Sequence, residues 1–188
     1  MEILTYTEDH LNFRKQVRRF MVKKVLPDVD KWEAMRLVPK TVWKKMGELG
    51  FLCTWVDSAY GGQAKDFLYS VIICEEMTRT NHGGLAAYLH SDIIVPYIDS
   101  YGSAAQKRKY LPGCVSGDII TAVAMTEPGA GSDLASMTTS AVENEKTIVL
   151  NGSKTFISKE NRLGEKGSGF LMLMEKLHEF HGDSHRCF

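Results

Sequence analysis

Ile119-Ile-Thr-Ala-Val-Ala-Met-Thr-Glu-Pro-Gly-Ala-Gly-Ser-Asp133 is where the chain changes character. Its first seven residues, Ile119 to Met125, are an apolar, β-branched run of strand length. Pro128, Gly129 and Gly131 then turn the chain into a loop. Apolar residues before Ile119 fall at helical spacing, whereas those after Asp133 fall in short strand-like runs. A helical block followed by a β block predicts an α+β fold, an N-terminal all-α helical domain followed by a partial antiparallel β domain. The predicted boundaries are 1–118 for the helical domain and 119–158 for the partial β domain. Residues 159–188 read as a linker, a helical stub at Phe170 to Leu177 and a poorly ordered tail.

Upstream, Thr7 is a candidate N-cap with Glu8 and Asp9 in the first turn. Phe13, Val17, Phe20, Met21 and Val25 then share one helical face until Pro27 stops the helix. A second helix is predicted from Pro39 to Gly50, burying Val42, Met46 and Leu49. Tyr60-Gly61-Gly62 is a turn, and a third helix spans Asp66 to Thr78. Leu85 to Tyr101 carries few charges and reads as a largely buried helix. A short charged helix from Ser103 to Tyr110 closes at Leu111-Pro112-Gly113.

Downstream, Met137 to Val142 and Thr147 to Leu150 read as two strands around the polar turn Glu143 to Lys146. Asn151-Gly152 is a tight-hairpin signal that leads into a further strand, Ser153 to Ser158.

Composition narrows the function. A net charge of +0 leaves no excess to steer the chain toward nucleic acid. No apolar run approaches the ~20 residues of a membrane-spanning helix, so no transmembrane segment is expected. Met1 to Thr5 lacks the order of a secretory signal and the Arg/Ser richness of a transit peptide. The four cysteines, Cys53, Cys74, Cys114 and Cys187, show no C-x-x-C pair, which argues against a zinc knuckle or disulfide framework. The first three read as buried neutral thiols in a reducing compartment. His178, His181 and His185 lack the H-E-x-x-H spacing, and no metal is expected.

The loop Met125 to Asp133 offers the chemistry. Gly129 and Gly131 carry no side chain, which lets a ligand approach the backbone. Exposed amides with the Thr126 and Ser132 hydroxyls could grip a carbonyl-rich heterocycle or a phosphate. On local physics alone a simple tight turn is the stronger reading. The loop is neither a P-loop, lacking Gly-Lys-Ser/Thr, nor a dinucleotide fingerprint, since no βαβ unit surrounds it.

Ala124-Met-Thr-Glu-Pro-Gly-Ala-Gly-Ser-Asp133 resembles the first signature of the acyl-CoA dehydrogenase family. Three other stretches match in order: Gly50-Phe51 with Tyr60-Gly61-Gly62, then Gly102 to Pro112, then Leu150-Asn-Gly-Ser-Lys-Thr-Phe-Ile-Ser158. The resemblance implies FAD-dependent α,β-dehydrogenation of acyl-CoA thioesters, in which a glutamate removes the α-proton and the β-hydride passes to the flavin. It further implies electron-transfer flavoprotein as acceptor, a homo-oligomer in full-length relatives, and the mitochondrial matrix in a eukaryote or the cytoplasm in a bacterium.

Carried onto this sequence, the resemblance puts Val123, Met125, Thr126 and Gly131 along the flavin. Backbone amides and the Thr126 hydroxyl would bond the ring's polar edge and stabilise the reduced cofactor's charge. Ser132 would meet both cofactor and the acyl-CoA near the thioester, and Leu85 to Val95 would contribute to the acyl pocket floor. Phe156, Ile157 and Ser158 would cover a flavin face, with Phe156 and Ser158 standing where many relatives carry Trp and Thr. Without the resemblance, Phe156 reads as an ordinary core aromatic.

The chain departs from the family after Ser158, which runs at once into Lys159-Glu-Asn-Arg-Leu-Gly-Glu-Lys-Gly-Ser-Gly-Phe170. That text resembles a family segment that normally follows several more strands, so the simplest reading is an internal deletion. Resemblance ends near Leu177, and no catalytic base is assigned, because Glu127, Glu160, Glu165, Glu175 and Glu179 do not sit in matching text. The alternative function is an inactive truncated isoform, or an interaction partner of a full-length acyl-CoA dehydrogenase. Missing strands would leave unpaired sheet edges. The isolated chain is therefore expected to be poorly soluble or molten and to bind FAD weakly. A flavin absorbance spectrum of purified protein checks this, and stoichiometric FAD with acyl-CoA oxidation would contradict it.

Overall fold

The computed structural model describes residues 4–143, 148–157 and 169–173. Thr7 caps helix α1 (Glu8–Phe20) through a capping box with His10. His10 Nε2 also reaches Asp66 at 3.1 Å, and Asp66 caps α4 (Phe67–Thr78) by accepting from the Leu68 amide. One buried imidazole thus joins the starts of two helices. Farther along the same contact, Glu76 is buried and accepts two bonds of 2.7 Å from Arg18. Burial pushes the Glu76 carboxyl up, but the Arg18 bonds and charge outweigh it and hold the group below its ordinary value.

The apolar face of α1 continues past its end. Val17, Phe20, Met21 and Val25 are all buried, the last two in a π-helical turn, Met21–Val25. Pro27 does not stop the helical path. It lies in a 3₁₀ turn, Leu26–Asp28, that feeds α2 (Val29–Met35), a helix absent from the sequence reading. Proline suits a first turn because its missing N–H would be unpaired there anyway. Val29 and Trp32, three apart, bury the face of α2.

Helix α3 (Lys40–Glu48) starts after Pro39 as expected, but buries Trp43 with Met46 and leaves Leu49 exposed. The segment Leu85 to Tyr101 is buried in large part, as a π-helical turn at Leu89–Ile94 followed by α5 (Val95–Tyr101). Helix α6 (Ala104–Ser116) does not close at Pro112 but runs through it. Pro112 sits on the exposed side, while Leu111 and Cys114, fully buried, hold the helix to the core. Gly117 at φ 75° ends α6, and a Cβ there would lie 2.4 Å from the Trp43 carbonyl oxygen.

The expected helical block and small β block are both present. Strand β1 (Ile119–Val123) pairs in parallel with β4 (Gly169–Leu173), in register from Ile119 with Gly169 to Val123 with Leu173. This corrects the sequence reading of a helical stub at Phe170 to Leu177 over the residues described. A short apolar run has no period to separate strand from helix, and an open edge on β1 decides it. Strands β2 (Ser140–Glu143) and β3 (Ile148–Asn151) form the expected antiparallel pair around Glu143 to Lys146. The further strand expected at Ser153 to Ser158 does not form: residues 152–157 are irregular, and Asn151-Gly152 makes no hairpin.

His90 attaches β1 to the helices. It is fully buried, takes the Thr121 amide on Nδ1 at 3.1 Å and approaches the Cys114 carbonyl through Nε2 at 3.0 Å. Accepting on Nδ1 makes Nε2 the protonated nitrogen, so the imidazole bridges strand and α6 as a neutral ring. Cys53 and Cys114 are the buried neutral thiols expected: burial pushes Cys53 well above its ordinary pKa and Cys114 to about 12. Cys74 is exposed, contrary to expectation, because it lies on the outer face of α4. Cys187 and the three tail histidines lie outside the described residues.

A chain ended at Ser168 loses β4 and opens the edge of β1. Amide exchange at residues 119–123 is expected to accelerate about tenfold or more, with α1 and α4 unchanged. Unchanged exchange in β1 would refute the parallel pairing.

Candidate functional site

The site starts where β1 ends. Ala124 is fully buried, and Met125 and Thr126 lead to a turn at Glu127-Pro128-Gly129-Ala130. The Glu127 amide donates to the Ala130 carbonyl at 2.8 Å and the Ala130 amide returns the bond at 3.2 Å. The tight turn expected from local physics is therefore real at these four residues, and it uses two of the loop amides. A Cβ at Gly129 or Gly131 would meet nothing within 4 Å.

The Glu127 side chain points inward and is buried. Its carboxylate accepts from the Thr138 amide at 2.8 Å, the Thr138 hydroxyl at 2.9 Å, the Thr139 amide at 3.0 Å and Lys154 Nζ at 3.0 Å. Hydrogen bonding from Thr139 first, then from the Thr138 amide and Lys154, holds the carboxyl far below the ordinary glutamate range. A carboxylate so occupied is a poor proton acceptor, in keeping with its omission as a candidate base.

Lys154 connects this loop to the segment after β3. Its ammonium also donates to the Met125 carbonyl at 3.0 Å and contacts Met137 Sδ at 3.3 Å. Beside it the Thr155 amide donates to the Thr126 carbonyl at 2.9 Å. Gly152 lets the segment pass: a Cβ there would stand 2.2 Å from Thr139 Oγ1 and 2.8 Å from Thr139 Cα. At the end of this segment Phe156 adopts φ 57° and is 89% exposed. It is no core aromatic. A left-handed backbone at a bulky residue costs about 1–2 kcal/mol, and such strain collects at functional sites.

A cavity of about 120 Å³ opens between the helices and this pair of segments. It is lined by Leu89 and Ile94 from the π-helical turn, by Thr121, Ala122 and Val123 from β1, and by Met125, Thr126, Phe156 and Ile157. Five residues singled out in the sequence, Val123, Met125, Thr126, Phe156 and Ile157, are thus brought together. Gly131 and Ser132 are exposed on the loop beyond the turn and are not among the lining residues. Ser158 lies outside the described residues.

Leu89 and Ile94 fall within the stretch expected at the pocket floor. Lys154 was missed, although it is the lone charge between Ile148 and Ser158. A single cation in apolar, strand-like text signals a buried partner. Among the described residues no three His, Cys, Asp or Glu side chains cluster as a metal site. No helix among them is long and apolar enough to cross a membrane.

The family model for the acyl-CoA dehydrogenase N-terminal domain matches residues 7–118, and that for the middle domain matches residues 122–164. The chain belongs to the acyl-CoA dehydrogenase family. It is 40% identical over 153 residues to the mitochondrial long-chain specific acyl-CoA dehydrogenase of Mus musculus, a match covering 81% of this chain and 36% of that one. An acyl-CoA dehydrogenase structure from Geobacillus kaustophilus superposes with a TM-score of 0.82 at 44% identity, covering 93% of this chain and 45% of the other. An acyl-CoA dehydrogenase complexed with FAD from Bacillus anthracis superposes with a TM-score of 0.79 at 31% identity, covering 90% and 29%. The chain therefore spans less than half the length of these relatives.

Two variants probe this geometry. Phe156→Gly removes an exposed side chain from a strained backbone, so its Tm is expected to stay level or rise; a clear fall in thermal melting would show hidden packing. For Glu127 the sign follows from its lowered pKa. Its stabilisation is present above the ordinary value of about 4.3 and is lost as pH falls below that toward the folded value. Glu127→Gln is expected to melt below the parent at neutral pH and to lose less stability than the parent on acidification to about pH 3. Equal acid sensitivity in both would contradict the assignment.

Proposed function

We propose that this chain serves FAD-dependent α,β-dehydrogenation of acyl-CoA thioesters by holding the flavin ring and the thioester end of the substrate. The observation that carries the reading is the cavity shared by Val123, Met125, Thr126, Phe156 and Ile157. The residues fit a flat, polar-edged heterocycle. The Thr126 hydroxyl and amide donate to no described residue, which leaves them for a ligand, and Phe156 offers an uncovered aromatic face at the same cavity. FAD, when bound, would supply the acceptor for the hydride leaving the β-carbon. Leu89, Ile94 and Ala122 keep the inner wall apolar and exclude water, while Thr126 orients the ring edge. Ser132 and Gly131 at the exposed loop would meet the thioester end and the cofactor, and Ser158 would join Phe156 and Ile157. Electron-transfer flavoprotein as acceptor, a homo-oligomer in full-length relatives, and the mitochondrial matrix in a eukaryote or the cytoplasm in a bacterium belong to the same proposal, the mitochondrial setting supported by the mitochondrial relative.

One observation favours a second reading. No carboxylate or histidine lines the cavity among the described residues, and Glu127 is locked in its own hydrogen bonds. Removal of an α-proton needs a base within hydrogen-bond reach, so one from outside these residues is required. The chain would then be an inactive truncated form, or a partner that acts with a full-length acyl-CoA dehydrogenase.

Titrating the purified chain with FAD and following flavin fluorescence tests the first reading. Saturable quenching is expected, and its absence would sink the proposal. Acyl-CoA turnover with an artificial electron acceptor, assayed with and without a full-length acyl-CoA dehydrogenase, separates the two readings. The chain alone is expected to be silent, whereas turnover by it alone would rule out the second.

A further inference from the structure

We infer that Lys154, through its buried pairing with Glu127, is a positioning residue that sets the spacing between the two chain segments lining the cavity. The inference rests on the flavin reading for its consequence but not for its geometry. Residues 152–157 form no strand and have no ladder of backbone bonds to hold them. Four described hydrogen bonds tie them to the loop side of the site. The Lys154 ammonium makes all but one, to the Met125 carbonyl, the Glu127 carboxylate and Met137 Sδ. The exception joins the amide of Thr155, the residue after the lysine, to the carbonyl of Thr126, which lies between the lysine's partners Met125 and Glu127.

Burial makes these bonds consequential. The Lys154 and Glu127 side chains are 11% and 3% exposed. Taking away the ammonium leaves a buried carboxylate without its counter-charge and strands the Met125 carbonyl, so the two segments must part to admit water. Met125 and Thr126 lie immediately before Glu127, and Phe156 and Ile157 follow Lys154 by two and three residues. Any opening of the pair therefore moves both sets of lining residues. Lys154 touches no cavity ligand by this account. It acts through the neighbours whose separation it fixes, and a misplacement of about 1 Å at such a site can weaken function a hundredfold.

The test compares the parent chain with Lys154→Met and Lys154→Arg by amide exchange and by FAD titration. In Lys154→Met the amides of Thr155, Thr138 and Thr139 are expected to exchange about tenfold faster or more, with α1 and α4 unchanged. FAD affinity should fall about tenfold or more, and Lys154→Arg should recover much of both losses. Unchanged exchange at Thr155 would overturn the inference. So would faster exchange with unaltered FAD affinity, or collapse of protection in α1 and α4, since a local clamp leaves the helical core intact. If the parent binds no FAD, the flavin reading fails. The clamp then stands on faster exchange at Thr155 with recovery in Lys154→Arg, and falls without them.

Discussion

A carboxylate inside a protein must find donors for all its lone pairs or be neutralised, and Glu127 meets that demand by gathering three separate pieces of chain. Its own turn follows β1, Thr138 and Thr139 precede β2, and Lys154 follows β3. Irregular segments that share no sheet hydrogen bonds are thereby held at fixed distance. The cavity lies beside this junction, and four of its lining residues, Met125, Thr126, Phe156 and Ile157, stand within three positions of Glu127 or Lys154 in sequence. The cost of leaving either charge alone is what keeps the arrangement single-valued.

The helical block supplies the other boundary. His90 carries the middle of β1 on a neutral imidazole wedged between Thr121 and Cys114, with Trp43 edge-on to its ring at 5.6 Å. The same π-helical turn that holds His90 contributes Leu89 and Ile94 to the cavity. Wide turns of this kind are uncommon and often mark functional positions. One face of that turn thus fixes the strand, and another forms the apolar wall against which a ligand would lie.

Where side chains repeat with a clear period, the elements were legible from sequence. Thr7 announced a helix start through capping chemistry, and Val17, Phe20 and Met21 announced a buried face. Pro27 and Pro112 misled, because a proline is tolerated in a first turn or on a solvent face when its neighbours are anchored by burial. Gly169–Leu173 misled for another reason: five apolar residues fit helix or strand equally, and the open edge of β1 chooses. Loop residues at the site were legible mainly through family resemblance. Lys154 was not: its place as the lone charge in the stretch signals a buried partner, but nothing local says that the partner is a glutamate 27 positions earlier.

The site depends most on Glu127 being an anchor that is hydrogen-bonded on both oxygens and ionised through the ordinary glutamate range. Its carboxyl carbon shift, followed by NMR as pH falls through the ordinary glutamate range near about 4.3, reads that state directly. The account predicts no inflection in that range while the chain remains folded, because hydrogen bonds from Thr139, Thr138 and Lys154 hold the group far below it. An inflection near the ordinary value, with the fold intact, would mean the carboxylate is solvated and the junction beside the cavity is not held as described.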